Sequence, residues 1–174
     1  IVGKPNVGKS TLLNALMGLK LSITTRKPQT TRDNILGIQT LDDCQITYID
    51  TPGMHRKTHN IQNRSMNKQA QNALCDANLT LFLIDARYPC TSADLWIVDK
   101  IKEDAQCAFL ILNKIDQSTH PELKEWLKTE SVQSIFDQII PILITIAFFL
   151  ITSYVAIFHN NYWLVDHDGR ITLQ

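Results

Sequence analysis

An excess of charge of either sign is missing from this chain: its 174 residues carry 17 Lys and Arg against 17 Asp and Glu, a formal net charge of zero. That excludes a global electrostatic grip on nucleic acid. Closely spaced cysteines are missing too. Cys44, Cys75, Cys90 and Cys107 form no CxxC pair, which argues against a zinc cluster or a thioredoxin-type site. Without other secretory signs they read as reduced, mostly buried thiols, which suggests the cytosol. Glycine and proline are scarce, six of each, so collagen-like and low-complexity classes fall away. No signal-peptide pattern stands at the start. The chain opens on Ile1-Val2 rather than methionine and reaches a glycine loop at once, so a first strand cut short is expected.

What is present suits one globular domain: 44% apolar and 20% charged residues over a length able to bury a real core. Apolar runs alternate with helical patterns, the rhythm of an α/β domain. Strands are expected at Ile1–Val2, Ile35–Thr40, Gln45–Asp50, Leu79–Asp85, Ala108–Asn113 and Ile139–Ile142. Helices are expected at Ser10–Met17, Ile61–Ala77, Ala93–Glu103 and Pro121–Lys128, with Pro121 suited to a first helical position. Asp-His-Asp-Gly at 166–169 lies between Tyr162–Val165 and Arg170–Leu173 and predicts a hairpin.

Three motifs carry chemistry. Gly3-Lys4-Pro5-Asn6-Val7-Gly8-Lys9-Ser10 matches GxxxxGKS/T between a strand end and a helix start. Its two glycines let successive N–H groups of the loop, with Thr11 just beyond, point at phosphate oxygens, and the helix adds its positive dipole end. Lys9, read as an exposed loop charge, would reach the β- and γ-phosphates, and the Ser10 hydroxyl would bind Mg²⁺. Asp50-Thr51-Pro52-Gly53 follows a strand; Asp50 would hold Mg²⁺ through water and the Gly53 N–H would meet the γ-phosphate. Asn113-Lys114-Ile115-Asp116 closes another strand. The Asp116 carboxylate can accept from N1–H and the 2-amino group of guanine together, Asn113 would bind the base edge or brace the loop, and Lys114 would pack along the ring. Together they predict a guanine-nucleotide-binding P-loop domain, a mixed, mostly parallel sheet flanked by helices, binding GTP and GDP.

The stretch GKPNVGKSTLLNALMGLKLSITTRKPQTTRDNILGI, then DTPGMH and a helix containing MNKQA, resembles the Era family of bacterial GTPases over residues 1–141. The specific part is Lys27-Pro28-Gln29-Thr30-Thr31-Arg32. The resemblance implies that Thr31 (or Thr30) is the switch threonine that closes on Mg²⁺ and the γ-phosphate, and that Lys9, Thr31, Gly53 and Asn6 serve hydrolysis. Asn6 is the residue that in relatives helps seat a potassium ion. It also implies slow GTP hydrolysis acting as a switch in assembly of the small ribosomal subunit, with 16S rRNA and the 30S subunit as partners and a cytoplasmic location. Met54 stands where Ras-like enzymes carry a glutamine, and a thioether cannot polarise water.

Two family parts are expected to be absent: a KH domain, for which no GxxG loop with a basic helix occurs, and a Ser-Ala pair that should fall at Leu143-Ile144. Residues 142–174 read instead as an atypical apolar tail. From Ile139 to Phe158 there are 20 residues without charge, and a helix of about that length spans roughly 30 Å. A membrane segment, a final strand plus buried helix, and a shifted reading frame after Pro141 are the readings, the last favoured by the abrupt loss of the family motif. Rival functions are a nucleotide-binding module without turnover or rRNA contact, and a membrane-anchored GTPase. His55 and His59 read as solvated switch residues, Asp166–Gly169 as too incomplete for a calcium loop, and Arg26, Lys27, Arg32, Arg56, Lys57 and Arg64 as a basic rim around the switches.

Overall fold

The computed structural model describes residues 1–23, 31–42, 44–56, 61–117 and 120–142, with the backbone of two further short strands at 163–165 and 171–173. The order is β1 (Val2–Gly3), α1 (Lys9–Met17), β2 (Ile35–Thr40), β3 (Gln45–Asp50), α2 (Ile61–Asp76), β4 (Thr80–Asp85), α3 (Ser92–Asp104), β5 (Ala108–Asn113), α4 (Pro121–Leu127), α5 (Glu130–Gln133), β6 (Gln138–Ile142), β7 (Trp163–Val165) and β8 (Ile171–Leu173). Strands β1, β4, β5 and β6 form a parallel sheet in that spatial order. The β2–β3 hairpin is antiparallel, and β7 pairs antiparallel with β8 as the hairpin signal predicts. The first hairpin joins the sheet through Ile1: its N–H donates to the Ile49 carbonyl at 2.7 Å, and its carbonyl accepts from the Thr51 N–H at 3.4 Å and hydroxyl at 2.9 Å.

Strands β4 and β5 are apolar along their length because both faces are covered. Their side chains alternate between two cores, as a two-residue period requires. Phe82, Ile84, Leu110 and Leu112 meet α2, α3 and α4, with Phe82 stacked on Phe136 at 5.9 Å. Leu83 and Ile111 point the other way, toward Val7 and Leu12 around α1. Parallel strands place their C-terminal ends on one edge, where such sheets bind ligands. Asp50, Asp85 and Asn113 each close a strand at that edge.

Two expectations about burial change. Cys44 and Cys75 are exposed, and Cys90 and Cys107 are half-buried rather than core thiols. Burial still pushes Cys90 up to about 12 and, with Asp137 beside it, Cys107 up to about 11, so neither offers a thiolate near neutral pH. The short helix α5 has no counterpart among the predicted elements, being only four residues long. Thr30, Lys27, His59, the Leu143-Ile144 position and the apolar tail beyond Ile142, apart from the backbone of β7 and β8, lie outside the described residues. Among the described residues no helix is long and apolar enough to cross a membrane.

Candidate functional site: a phosphate loop and a cation cradle

The loop between β1 and α1 is built on backbone that side chains resist. Gly3 and Gly8 have φ of 149° and 110°, and a Cβ on Gly3 would lie 2.5 Å from the Leu83 carbonyl oxygen. Asn6 is also left-handed, at φ 63°, and exposed. Helix α1 then starts on Gly8 with no side-chain cap and no acid in its first turn. Its leading N–H groups and positive end are thus left to an anion, which is the arrangement the motif predicts.

Lys9 departs from its reading as an exposed charge. It is only 6% exposed, and its Nζ donates to the carbonyls of Lys4 at 2.8 Å and Gly3 at 3.2 Å. Burial pulls its ammonium down to about 8, with nearby Asp50 opposing. The lysine therefore braces the loop as well as charging it. Thr11 follows in the first turn, half-buried, and Val7 is buried with its carbonyl turned to β5.

Ser10, Thr31 and Asp50, predicted as the metal set, do converge. The Ser10 hydroxyl donates to Asp50 Oδ2 at 2.6 Å and lies 3.1 Å from the Thr31 hydroxyl. Asp50 is fully buried, and its Oδ1 has no hydrogen-bond partner. A buried, unpaired carboxylate oxygen beside two hydroxyls is a costly arrangement for a protein alone. Hard oxygen donors of this kind suit Mg²⁺, so the residues present fit that ion.

Gly53 sits against the loop. A Cβ there would lie 2.6 Å from Pro5 Cγ and 2.8 Å from the Pro5 nitrogen. Because backbone cannot yield as a side-chain tip can, Gly53→Ala is expected to displace the phosphate loop and weaken a non-hydrolysable GTP analogue about tenfold or more, a cost within the ~1–3 kcal/mol of overpacking. Fluorescence titration checks it, and unaltered affinity would show that the contact does not govern the loop. The neighbouring Met54 is 2% exposed and its side chain belongs to the core. His55 is not a freely solvated switch residue. Asn67 of α2 clamps its backbone, accepting from its N–H at 3.0 Å and donating to its carbonyl at 2.7 Å, while its ring Nε2 is buried without a partner. Burial, then nearby Lys9, lowers its pKa.

At the end of β5 Asn113 braces the phosphate loop. It is fully buried, its Nδ2 donates to the Val7 carbonyl at 2.7 Å, and its Oδ1 accepts the Lys114 N–H at 2.8 Å. Lys114, at φ 63°, donates from Nζ to the Asn6 carbonyl at 3.0 Å and to Asp85 Oδ2 at 2.8 Å. Burial alone would raise the Asp85 pKa, but hydrogen bonds from Arg87 and Lys114 overrule it and hold the carboxyl at about 2. Asp116 lies one turn further, exposed in the short 3-10 turn Ile115–Gln117. Asp85, Asn67 and Asn14 hold residues around the site and are positions that motif reading passes over. Only Asp85 carried a usable signal, an acid ending an apolar strand as Asp50 does.

A glycine-rich loop wrapped onto a helix start, with a buried aspartate on one neighbouring strand and an Asn-Lys-x-Asp loop at the end of another, is the architecture of a P-loop GTPase domain. Residues 1–114 match the family model described as 50S ribosome-binding GTPase, and the chain belongs to that family. Over 143 residues, 82% of the chain, it is 46% identical to GTPase Era of Coxiella burnetii, and over 142 residues 48% identical to GTPase Era of Clostridium botulinum. In structure it resembles Era in complex with MgGDPNP and nucleotides 1506–1542 of 16S ribosomal RNA, at TM-score 0.77 and 32% identity, covering 98% of this chain and 59% of that one. A variant of Aquifex aeolicus Era bound to GDP·AlF4⁻ gives TM-score 0.77 and 32% identity over 99% of this chain and 60% of that one. The resemblance read from the sequence is thus borne out. The chain spans about half the length of the curated relatives it matches, 48% of each.

Proposed function

We propose that this chain binds GTP with Mg²⁺ and hydrolyses it slowly to GDP and phosphate, as a switch in assembly of the small ribosomal subunit in the cytoplasm. The observation that carries the reading is the buried Asp50 with one unpartnered oxygen, set beside the Ser10 and Thr31 hydroxyls. Mg²⁺ there would be held by Ser10, Thr31 and Asp50, and when bound it neutralises phosphate charge. Lys9 and the N–H groups from Asn6 to Thr11 would cradle the phosphates, the Gly53 N–H would meet the γ-phosphate, and Asp116 would read guanine. The ribosomal part rests on likeness to Era, one relative of which holds a 16S rRNA fragment. The family's own description names the 50S ribosome; we follow the Era likeness because it extends over more of the chain. Exposed Arg32, Arg56 and Arg64 supply phosphate contacts in this reading.

No polarising side chain stands at Met54, so we assign the stabilising charge to a monovalent cation beside Asn6. Phosphate release under multiple turnover is expected, severalfold faster in potassium than in sodium, with Asn6→Ala erasing the difference. Absence of turnover leaves a nucleotide-binding module, and equal rates in both salts remove the potassium assignment alone.

A further inference from the structure

Asp50 is held by a second hydroxyl that no motif contains. The Ser22 Oγ donates to Asp50 Oδ2 at 2.8 Å, on the same oxygen that accepts from Ser10 at 2.6 Å. Ser22 is 1% exposed, so this contact is not a surface accident. It is set by Asn14. The Asn14 Nδ2 donates to the Ser22 carbonyl at 2.8 Å, and its Oδ1 accepts the Ser22 N–H at 2.8 Å, a two-bond clamp on one residue's backbone. Asn14 and Ser10 are four residues apart on α1 and share a face. One helix face therefore presents a hydroxyl to the aspartate and an amide to the segment that brings the second hydroxyl.

We propose that Ser22, fixed by Asn14, is a positioning residue for magnesium: its hydroxyl pins Asp50 Oδ2 and turns Oδ1 toward the ion. The inference rests on the GTPase reading above. A carboxylate offers lone pairs on both oxygens. With two O–H donors on Oδ2 the plane of the group is held and Oδ1 is left with its lone pairs unspent, as observed. Groups that orient a metal ligand from behind commonly change metal affinity 10- to 100-fold when removed. Ser22 and Thr31 also flank residues 24–30 on either side, and both lead to the Ser10–Asp50 pair.

The test uses the release of mant-GDP from the whole chain, measured across free Mg²⁺ concentration from EDTA to millimolar. In the wild-type chain magnesium is expected to slow release. In Ser22→Ala the Mg²⁺ concentration giving half the slowing should rise about tenfold or more, while release in EDTA stays near the wild-type rate. Ser22→Thr, which keeps the hydroxyl, should restore most of the magnesium response, and Asn14→Ala should mimic Ser22→Ala. An unchanged half-effect concentration in Ser22→Ala overturns the proposal. So does faster release by the same factor with and without magnesium, the mark of a merely structural role. A wild-type chain that does not bind mant-GDP overturns the GTPase reading itself. Binding that ignores magnesium in the wild type removes the ion site and the proposal with it.

Discussion

Lys9→Ala is expected to lower GDP and GTP affinity by about a hundredfold or more. Each hydrogen bond from an ammonium to a charged partner contributes on the order of 1.5–3 kcal/mol, and two such bonds to phosphate oxygens exceed the ~2.7 kcal/mol that a hundredfold represents. The same substitution has a second, smaller effect that follows from burial. The Gly3 and Lys4 carbonyls lose the Nζ donor that they share in this structure. The Gly3 carbonyl keeps the Met54 N–H at 3.1 Å, whereas the Lys4 carbonyl is left short of a partner at a cost of about 1 kcal/mol, so the melting temperature of the variant should fall by a few degrees. Calorimetric titration with GDP and a thermal melt separate the two effects. Unchanged nucleotide affinity would remove the phosphate-loop assignment whatever the melt shows.

Asp116→Asn should exchange base specificity. The carboxylate accepts two N–H donors of guanine; an amide accepts one and presents an N–H where the other donor sits, so the pair turns partly repulsive. The loss is expected at about 3–4 kcal/mol, roughly two to three orders of magnitude in GTP affinity. Xanthine carries a C2 carbonyl in place of the amino group, and the new amide N–H can donate to it, so XTP should gain as GTP loses. Asp116 is exposed in its short turn, and the bracing work of that loop falls to Asn113 and Lys114. Stability should therefore stay near the wild-type value, which makes this a clean specificity variant. Competition of GTP and XTP against mant-GDP reads the outcome, and a retained preference for GTP would mean that another group reads the base.

Strand limits were legible wherever one local pattern ran unbroken. Ile35–Thr40, Gln45–Asp50 and Ala108–Asn113 stand as the alternation and apolar runs predict, and the four predicted helices differ by no more than one residue at either end. The nucleotide motifs were legible for a related reason. A loop that must offer consecutive N–H groups to phosphate needs consecutive residues, so its chemistry is written in one short stretch. Gly3, Gly8, Lys9 and Ser10 are such a stretch, as are Asn113 to Asp116.

Burial and partnership were not legible in that way. Lys9 carries the same letter whether it waves in solvent or folds back on the Gly3 carbonyl, and the difference depends on how Asp50 and Gly53 close over the loop. Ser22 reads as one polar residue in a polar run. Its place on Asp50 arises only because β3 delivers that carboxylate beside α1 and Asn14 captures the chain eight residues on. Asn113 braces the loop because the parallel pairing of β5 beside β4 carries its amide to the Val7 carbonyl. The amino-acid sequence by itself determined the family, the nucleotide motifs and the alternation of strands and helices, since these rest on contiguous residues and local periodicity. Only the tertiary structure decided which hydroxyls share Asp50 and which amide braces which loop, because those bonds join residues up to 106 positions apart, and sheet order sets their distances.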